Sequence, residues 1–168
     1  VPGTIVGIAT DDTFLVKQNQ VLVTLGHNDL LQAYDRAASN LASTVRQTAE
    51  LYQNVGELRA TLALNQADLV KAQQDLARRQ GLVAAQAISN EEFQHAKTAV
   101  DTAAAQVNLT QHQLNTAITL VNNTTLYHYP AVETAKANLR TAYLNVVRTK
   151  IVAPVTGYIA KRSAQLGQ

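Results

Sequence analysis

Stepping alternately by four and three residues from Leu30 lands on an apolar series at every second stop: Tyr34, Leu41, Val55, Leu62, Leu69, Leu76 and Val83, with Thr48 as its one polar member. The stops between them (Ala37, Thr44, Leu51, Leu58, Asn65, Ala72, Arg79) are mixed. A seam that recurs every 3.5 residues over this length means a helix committed to a coiled-coil partner. At the rise of an α-helix such an element reaches roughly 80 Å. A second seam follows in Phe93, Ala96, Val100, Ala103, Val107, Thr110, Leu114, Ala117 and Val121, and resumes at Val132, Ala135, Leu139, Ala142 and Val146. Between Val121 and Val132 the heptad spacing gains four residues, and Asn122-Asn123-Thr124-Thr125 and Pro130 form helices poorly. A break near 122–130 is expected, with Pro130 opening the restarted helix and Glu133 in its first turn.

The partner of the first arm is the second. Ser89 and Glu92 have capping-box spacing, and Ile88 and Phe93 have that of a hydrophobic staple, so helix two starts at Ser89 or Asn90. Helix one fades between Gly81 and Ala85, leaving a tip near 81–89. So short a loop makes the two arms antiparallel neighbours.

Outside the arms the pattern changes. Residues 1–26 carry β-branched runs (Thr4-Ile5-Val6-Gly7-Ile8, Phe14-Leu15-Val16, Val21-Leu22-Val23-Thr24-Leu25), and strand character returns over 149–168 around Pro154 and Gly157. Because a hairpin begins and ends at one place, these segments lie side by side, and together they suffice for a small β-sandwich. The expected organisation is α+β, mainly α: residues 1–26 and 149–168 form a split β-domain, and 27–148 form an inserted helical hairpin.

Composition narrows the function. Cysteine is absent, which excludes a disulfide framework, a zinc–thiolate site and a cysteine nucleophile. A net charge of +2 with scattered charges gives no phosphate-tracking stripe, so nucleic acid is not an expected partner. No apolar run approaches the roughly 20 residues of a membrane-spanning helix. Methionine is also absent, and the chain is expected to be a piece of a longer protein with its targeting and anchoring segments elsewhere. His27, His95, His112 and His128 share no metal-ligand spacing, and Glu91 with His95 reads as a solvated helix pair. With no catalytic triad, carboxylate pair or phosphate loop, neither an enzyme nor a cofactor is expected.

The flanking segments resemble a known family. Thr149-Lys150-Ile151-Val152-Ala153-Pro154-Val155-Thr156-Gly157-Tyr158-Ile159 is similar to the T-x-I-x-A-P-x-x-G-x-V/I signature of membrane-fusion proteins, the periplasmic adaptors of the HlyD type, with Gly167 at the following turn. Val16-Lys17-Gln18-Asn19-Gln20-Val21-Leu22 resembles their V-K-x-G-D/Q-x-L pattern, with Asn19 where Gly is usual; Asn tolerates the positive φ of such a turn. Arg78, Leu82 and Ser89 reproduce the family's R-x3-L-x6-S tip motif. The stretches at 42–48 and 142–144 look most like EmrA-type multidrug adaptors.

This resemblance implies a split lipoyl-like β-sandwich. It also implies a place in a tripartite efflux or secretion pump of the Gram-negative envelope, in the periplasm and anchored to the inner membrane. The implied partners are a TolC-like outer-membrane channel and an inner-membrane transporter, of the major-facilitator drug/proton type ahead of the ABC type. Self-association into a trimeric or hexameric ring is implied as well. The docking tip would be Arg78, Leu82 and Ser89, supported by Val83, Gln86 and Ile88. Plainer readings stand beside these: Arg78 as a solvated charge, Leu82 as the last packed residue, Ser89 as a helix cap only. Type I secretion, or a coiled-coil tether, is the alternative for the whole. A lipoyl carrier is disfavoured because Lys17 lies in a strand-like segment and no tight β-turn presents a lysine.

Overall fold

The computed structural model describes residues 3–168. In chain order its elements are β1 (Ile5–Ile8), β2 (Leu15–Val16), β3 (Val21–Leu25), α1 (Asn28–Ala84), α2 (Asn90–Val121), a 3-10 turn (Leu126–His128), α3 (Pro130–Val147), β4 (Lys150–Val152) and β5 (Gly157–Tyr158). They fall into two compact units, one of the residues up to Arg46 together with Pro130–Gln168, the other of Gln47–Tyr129.

In the first unit both ends of the chain contribute to each sheet. One sheet has the order β1-β3-β4, antiparallel throughout, with Val21 opposite Val152 and Val23 opposite Ile151. The other pairs β2 with β5, Leu15 opposite Tyr158. The Thr149–Pro154 run acquires a physical reading here. Thr149 is buried; its hydroxyl donates to the Val146 carbonyl at the end of α3 (2.7 Å), and its own carbonyl accepts from the Leu25 N–H (2.9 Å). Ala153, 2% exposed, donates to the Gln20 carbonyl and accepts from the Asn19 N–H at 2.9 and 2.8 Å. Asn19 takes φ +65°, and the Gln20 N–H closes the turn on the Lys17 carbonyl (3.0 Å). Gly167, at φ +83°, donates to the Ile5 carbonyl. Gly157 is different: a methyl group there would meet nothing within 4 Å, and nothing in the structure explains a glycine at that position.

The helical part of this unit is the start of α1 with α3, where the rings of Tyr34 and Tyr143 lie 6.4 Å apart at 53°. Val132 is fully buried and Ala135 nearly so. Pro130 opens α3, where a missing N–H costs nothing, and Tyr129 before it is extended (φ −68°, ψ 136°).

The second unit is the helical hairpin. Val55 and Leu62 of α1 pack with Leu114, Ala117 and Val121 of α2, flanked by Leu51, Tyr52, Leu58, Val107 and Ile118. Two polar contacts fix the register. The Asn65 amide donates to the Thr110 hydroxyl (2.8 Å), and the Tyr52 hydroxyl meets that of Thr124 (3.0 Å). Residue numbers rise along α1 as they fall along α2, which is the antiparallel arrangement. Thr110 is 1% exposed and fully satisfied, since its own proton goes to the Gln106 carbonyl (3.0 Å). After α2, Asn122 turns extended, Asn123 takes φ +57°, and Thr124 folds back so that its N–H and hydroxyl both reach the Val121 carbonyl.

Two tests follow from this packing. Thr110→Val strands the half-buried Asn65 amide and is expected to cost about 1 kcal/mol in urea denaturation. Replacing both partners, Asn65→Leu with Thr110→Val, restores or raises stability, because no polar group is then left unmet. In native-state hydrogen exchange, amides of 122–129 exchange about a hundredfold faster than those of 93–118; equal protection would contradict the interruption between α2 and α3.

Candidate functional site

The hairpin turn is built from two helix-end devices. At the end of α1, the Ala87 N–H donates to the Leu82 carbonyl and the Gln86 N–H to the Val83 carbonyl, both at 2.9 Å. This crossed pair is a Schellman motif, which requires a left-handed residue at the position Gln86 occupies. Gln86 has φ +57°, a conformation that costs an L-residue about 1–2 kcal/mol. At the start of α2, the Ser89 hydroxyl accepts from the Glu92 N–H (3.1 Å) while the Glu92 carboxylate accepts from the Ser89 N–H (3.1 Å), a complete capping box. Glu91 and Glu92 also favour the positive end of the α2 dipole.

These devices decide what the turn exposes. Leu82 is 40% exposed, and Gln86 and Ser89 are exposed, while Val83 and Ile88 are half-buried. Arg78 stands one helical turn before Leu82 with its side chain 72% exposed. The structure therefore gathers Leu82, Val83, Gln86, Ile88 and Ser89 at one turn, with Arg78 on the flank of α1 leading to it.

Sequence reasoning passed over Asp75. Its carboxylate accepts from Arg78 Nη2 through one oxygen and from Arg79 Nε through the other, the latter at 2.7 Å. Spacings of three and four residues on one helix were the available signal. Arg79, a seam position, is thereby tied to its own helix, and Arg78 is held by one of its donors with the rest unengaged. The hydrogen bond from Arg79, and then the charges of both guanidinium groups, hold the Asp75 carboxyl below its ordinary value of 3.8, against a partial desolvation that works the other way.

Elsewhere the chemistry is sparse. His95 Nε2 lies 3.6 Å from Glu91 Oε1, with both side chains more than three-quarters exposed. Among the described residues no group of three or more His, Asp or Glu side chains could hold a metal ion, and no helix is long and apolar enough to cross a membrane. An open hollow beside the start of α1, about 730 Å³, is lined by Gly3, Thr4, Val6 and Gly26 to Leu30, with His27 and Asp29 its only titratable side chains.

The Asp75 arrangement has a definite pH signature. A depressed folded-state pKa means that the pairing is present above the unfolded value and is lost as pH falls through the folded one. The arginine contacts should thus persist from neutral pH down to about 4 and loosen only below it. Carboxyl NMR titration is expected to give a midpoint under 3.8. Arg79→Gln should move that midpoint up further than Arg78→Gln.

Comparison with known proteins agrees with this architecture. Residues 28–149 match the family described as EMRA, alpha-helical hairpin domain. The chain is 40% identical over 167 residues to the multidrug export protein EmrA of Escherichia coli K12, covering 99% of this chain and 43% of that one. It is likewise 40% identical over 167 residues to the fatty acid resistance protein FarA of Neisseria gonorrhoeae, covering 99% and 42%. It thus spans less than half the length of these curated relatives. Among solved structures, the membrane fusion protein Spr0693 of Streptococcus pneumoniae R6 superposes with a TM-score of 0.51 at 16% identity, covering 97% of this chain and 48% of that one, a likeness of fold. With its three helices matched from the first residue of α1 to the end of α3, this chain belongs to the EmrA alpha-helical hairpin family.

Proposed function

We propose that this chain is the hairpin-bearing part of a periplasmic adaptor in a tripartite export pump, and that it works by docking rather than by catalysis. The observation that carries the reading is the position of Leu82 and Ser89 at the two sides of the turn, with Arg78 on the last turns of α1 before it, in a hairpin of the EmrA family. The strands on either side of the helices form the two halves of a lipoyl-like domain; their pairing into shared sheets supports this. The protein is anchored to the inner membrane by a segment outside this chain. There it serves a transporter of the major-facilitator type, with an ABC transporter and type I secretion as the alternative. Similarity to a multidrug export protein and to a fatty acid resistance protein supports the export role.

At the tip, Leu82, Val83 and Ile88 supply apolar area and Gln86 and Ser89 polar contacts to a TolC-like outer-membrane channel. Arg78, held by Asp75, offers its remaining N–H groups for a charge-assisted hydrogen bond. One tip is too small for tight binding. A ring of three or six adaptors raises the effective concentration of every tip once the first is seated.

The chain contains no cysteine, so a thiol introduced at the turn is the single one within these 168 residues. A single Ala87→Cys in the full-length adaptor spares the positive-φ position and presents a thiol beside it. It should crosslink to the outer-membrane channel in cells, and Arg78→Asp should reduce that adduct roughly tenfold or more while helicity is retained. A folded, exported protein that gives no adduct would leave a coiled-coil tether with some other partner. Loss of helicity on Arg78→Asp would assign that residue a structural role.

A further inference from the structure

We propose that Gln86 is a specificity-determining contact of the tip, held at the apex in a conformation that the fold alone would assign to glycine; the inference rests on the docking reading above. The Schellman motif sets the requirement at this position. Its left-handed position favours glycine, with asparagine next, because a Cβ is penalised there. The chain follows that preference where α2 ends, with Asn123 at φ +57°, and in the turn before β3, with Asn19 at φ +65°. Thr13, at φ +66° in the turn before β2, departs from it, and Gln86 is the other departure. At the tip stands a long, flexible glutamine, which lacks asparagine's tolerance of this region.

Nothing among the described residues repays it. Gln86 is exposed, and its side-chain amide makes no hydrogen bond among the described residues, so the side chain adds neither packing nor polar satisfaction to the turn. Its neighbours sharpen the point. Residues 84, 85 and 87 are all alanine, so Gln86 is the only side chain beyond a methyl group between Val83 and Ile88. A primary amide presents an acceptor and two donors on one plane, which matches a peptide group or another amide in two hydrogen bonds. The chemistry recognised is therefore an uncharged donor–acceptor pair on the channel. Strain at a binding surface is the usual sign of a residue retained for its partner at some cost to the fold.

The test uses the full-length adaptor with Ala87→Cys and the outer-membrane channel, reading the adduct and the thermal midpoint of the helices together. Gln86→Gly is expected to leave the midpoint unchanged or raise it by about 1–3 °C while lowering the adduct at least threefold. Gln86→Ala should lower the adduct equally without the gain in stability, which separates loss of the amide from added backbone freedom. Gln86→Asn, keeping the amide and suited to positive φ, should recover at least half of it. An adduct undiminished by Gln86→Gly and Gln86→Ala, in a background where Arg78→Asp abolishes it, would overturn the role of Gln86 and leave the docking reading intact. An adduct insensitive to Arg78→Asp as well would overturn the roles of both residues, and no adduct at all would overturn the docking reading on which this inference rests.

Discussion

A narrow apolar seam between α1 and α2 holds the second unit together, and the turn depends on it. Val55, Leu62, Leu114, Ala117 and Val121 are small or medium side chains, with no aromatic among them. Such a seam is permissive about sliding, because one aliphatic layer fits another almost as well one heptad along. The Asn65–Thr110 hydrogen bond removes that freedom. Displaced by a heptad, each polar group would face an aliphatic layer with no partner, and a buried unmet amide or hydroxyl is more costly than the bond is worth. With the register set, α1 must stop and α2 must start where the Schellman motif and the capping box allow, and the residues shown at the turn follow from that.

What the chain disclosed in advance was what local rules govern. Heptad stepping found the residues that are buried, from Val55 and Leu62 to Val132 and Ala135. Ser89 and Glu92 announced a cap that the structure contains in full, and Asn19 a positive φ that it adopts. Less legible were features set by competition between neighbours. Asp75 had two arginines within reach, and ordinary spacing does not say that one carboxylate serves both. Gln86 gave no warning of its conformation, because glutamine carries no preference for it; the two helix ends impose it. Nor does a two-residue period say which strand pairs with which. The order β1-β3-β4, and the irregular registers of β1 and β4 against β3, depend on contacts remote in sequence.

The Thr149–Pro154 run shows how a short motif carries a fold. Its threonine closes the end of α3 and meets β3, and its alanine exchanges two hydrogen bonds with the turn at Asn19–Gln20. These positions sit where one end of the chain is fastened to the other. Thr149 and Ala153 are the buried members of the run, and fit and hydrogen bonding account for both. At the turn of the hairpin the local interactions likewise shape the backbone: the exposed Ser89 and Glu92 are engaged in the cap, while Leu82 and Gln86 stand exposed.

Sheets assembled from opposite ends of a chain also impose an order of events on folding. Val21 and Val152 are partners separated by about 130 residues, and closing a flexible loop of that length costs about 4 kcal/mol in entropy before any strand contact is made. Contacts across the turn between α1 and α2 are local, and zipping outwards from Ser89 needs no such closure. The helices can therefore form early, on the fast timescale of low contact order, and the strands late. β1 and β3 pair locally, but until then β2 and the edge of β3 that receives β4 stay open, and rapid closure of the helices shortens the time they are exposed to other chains.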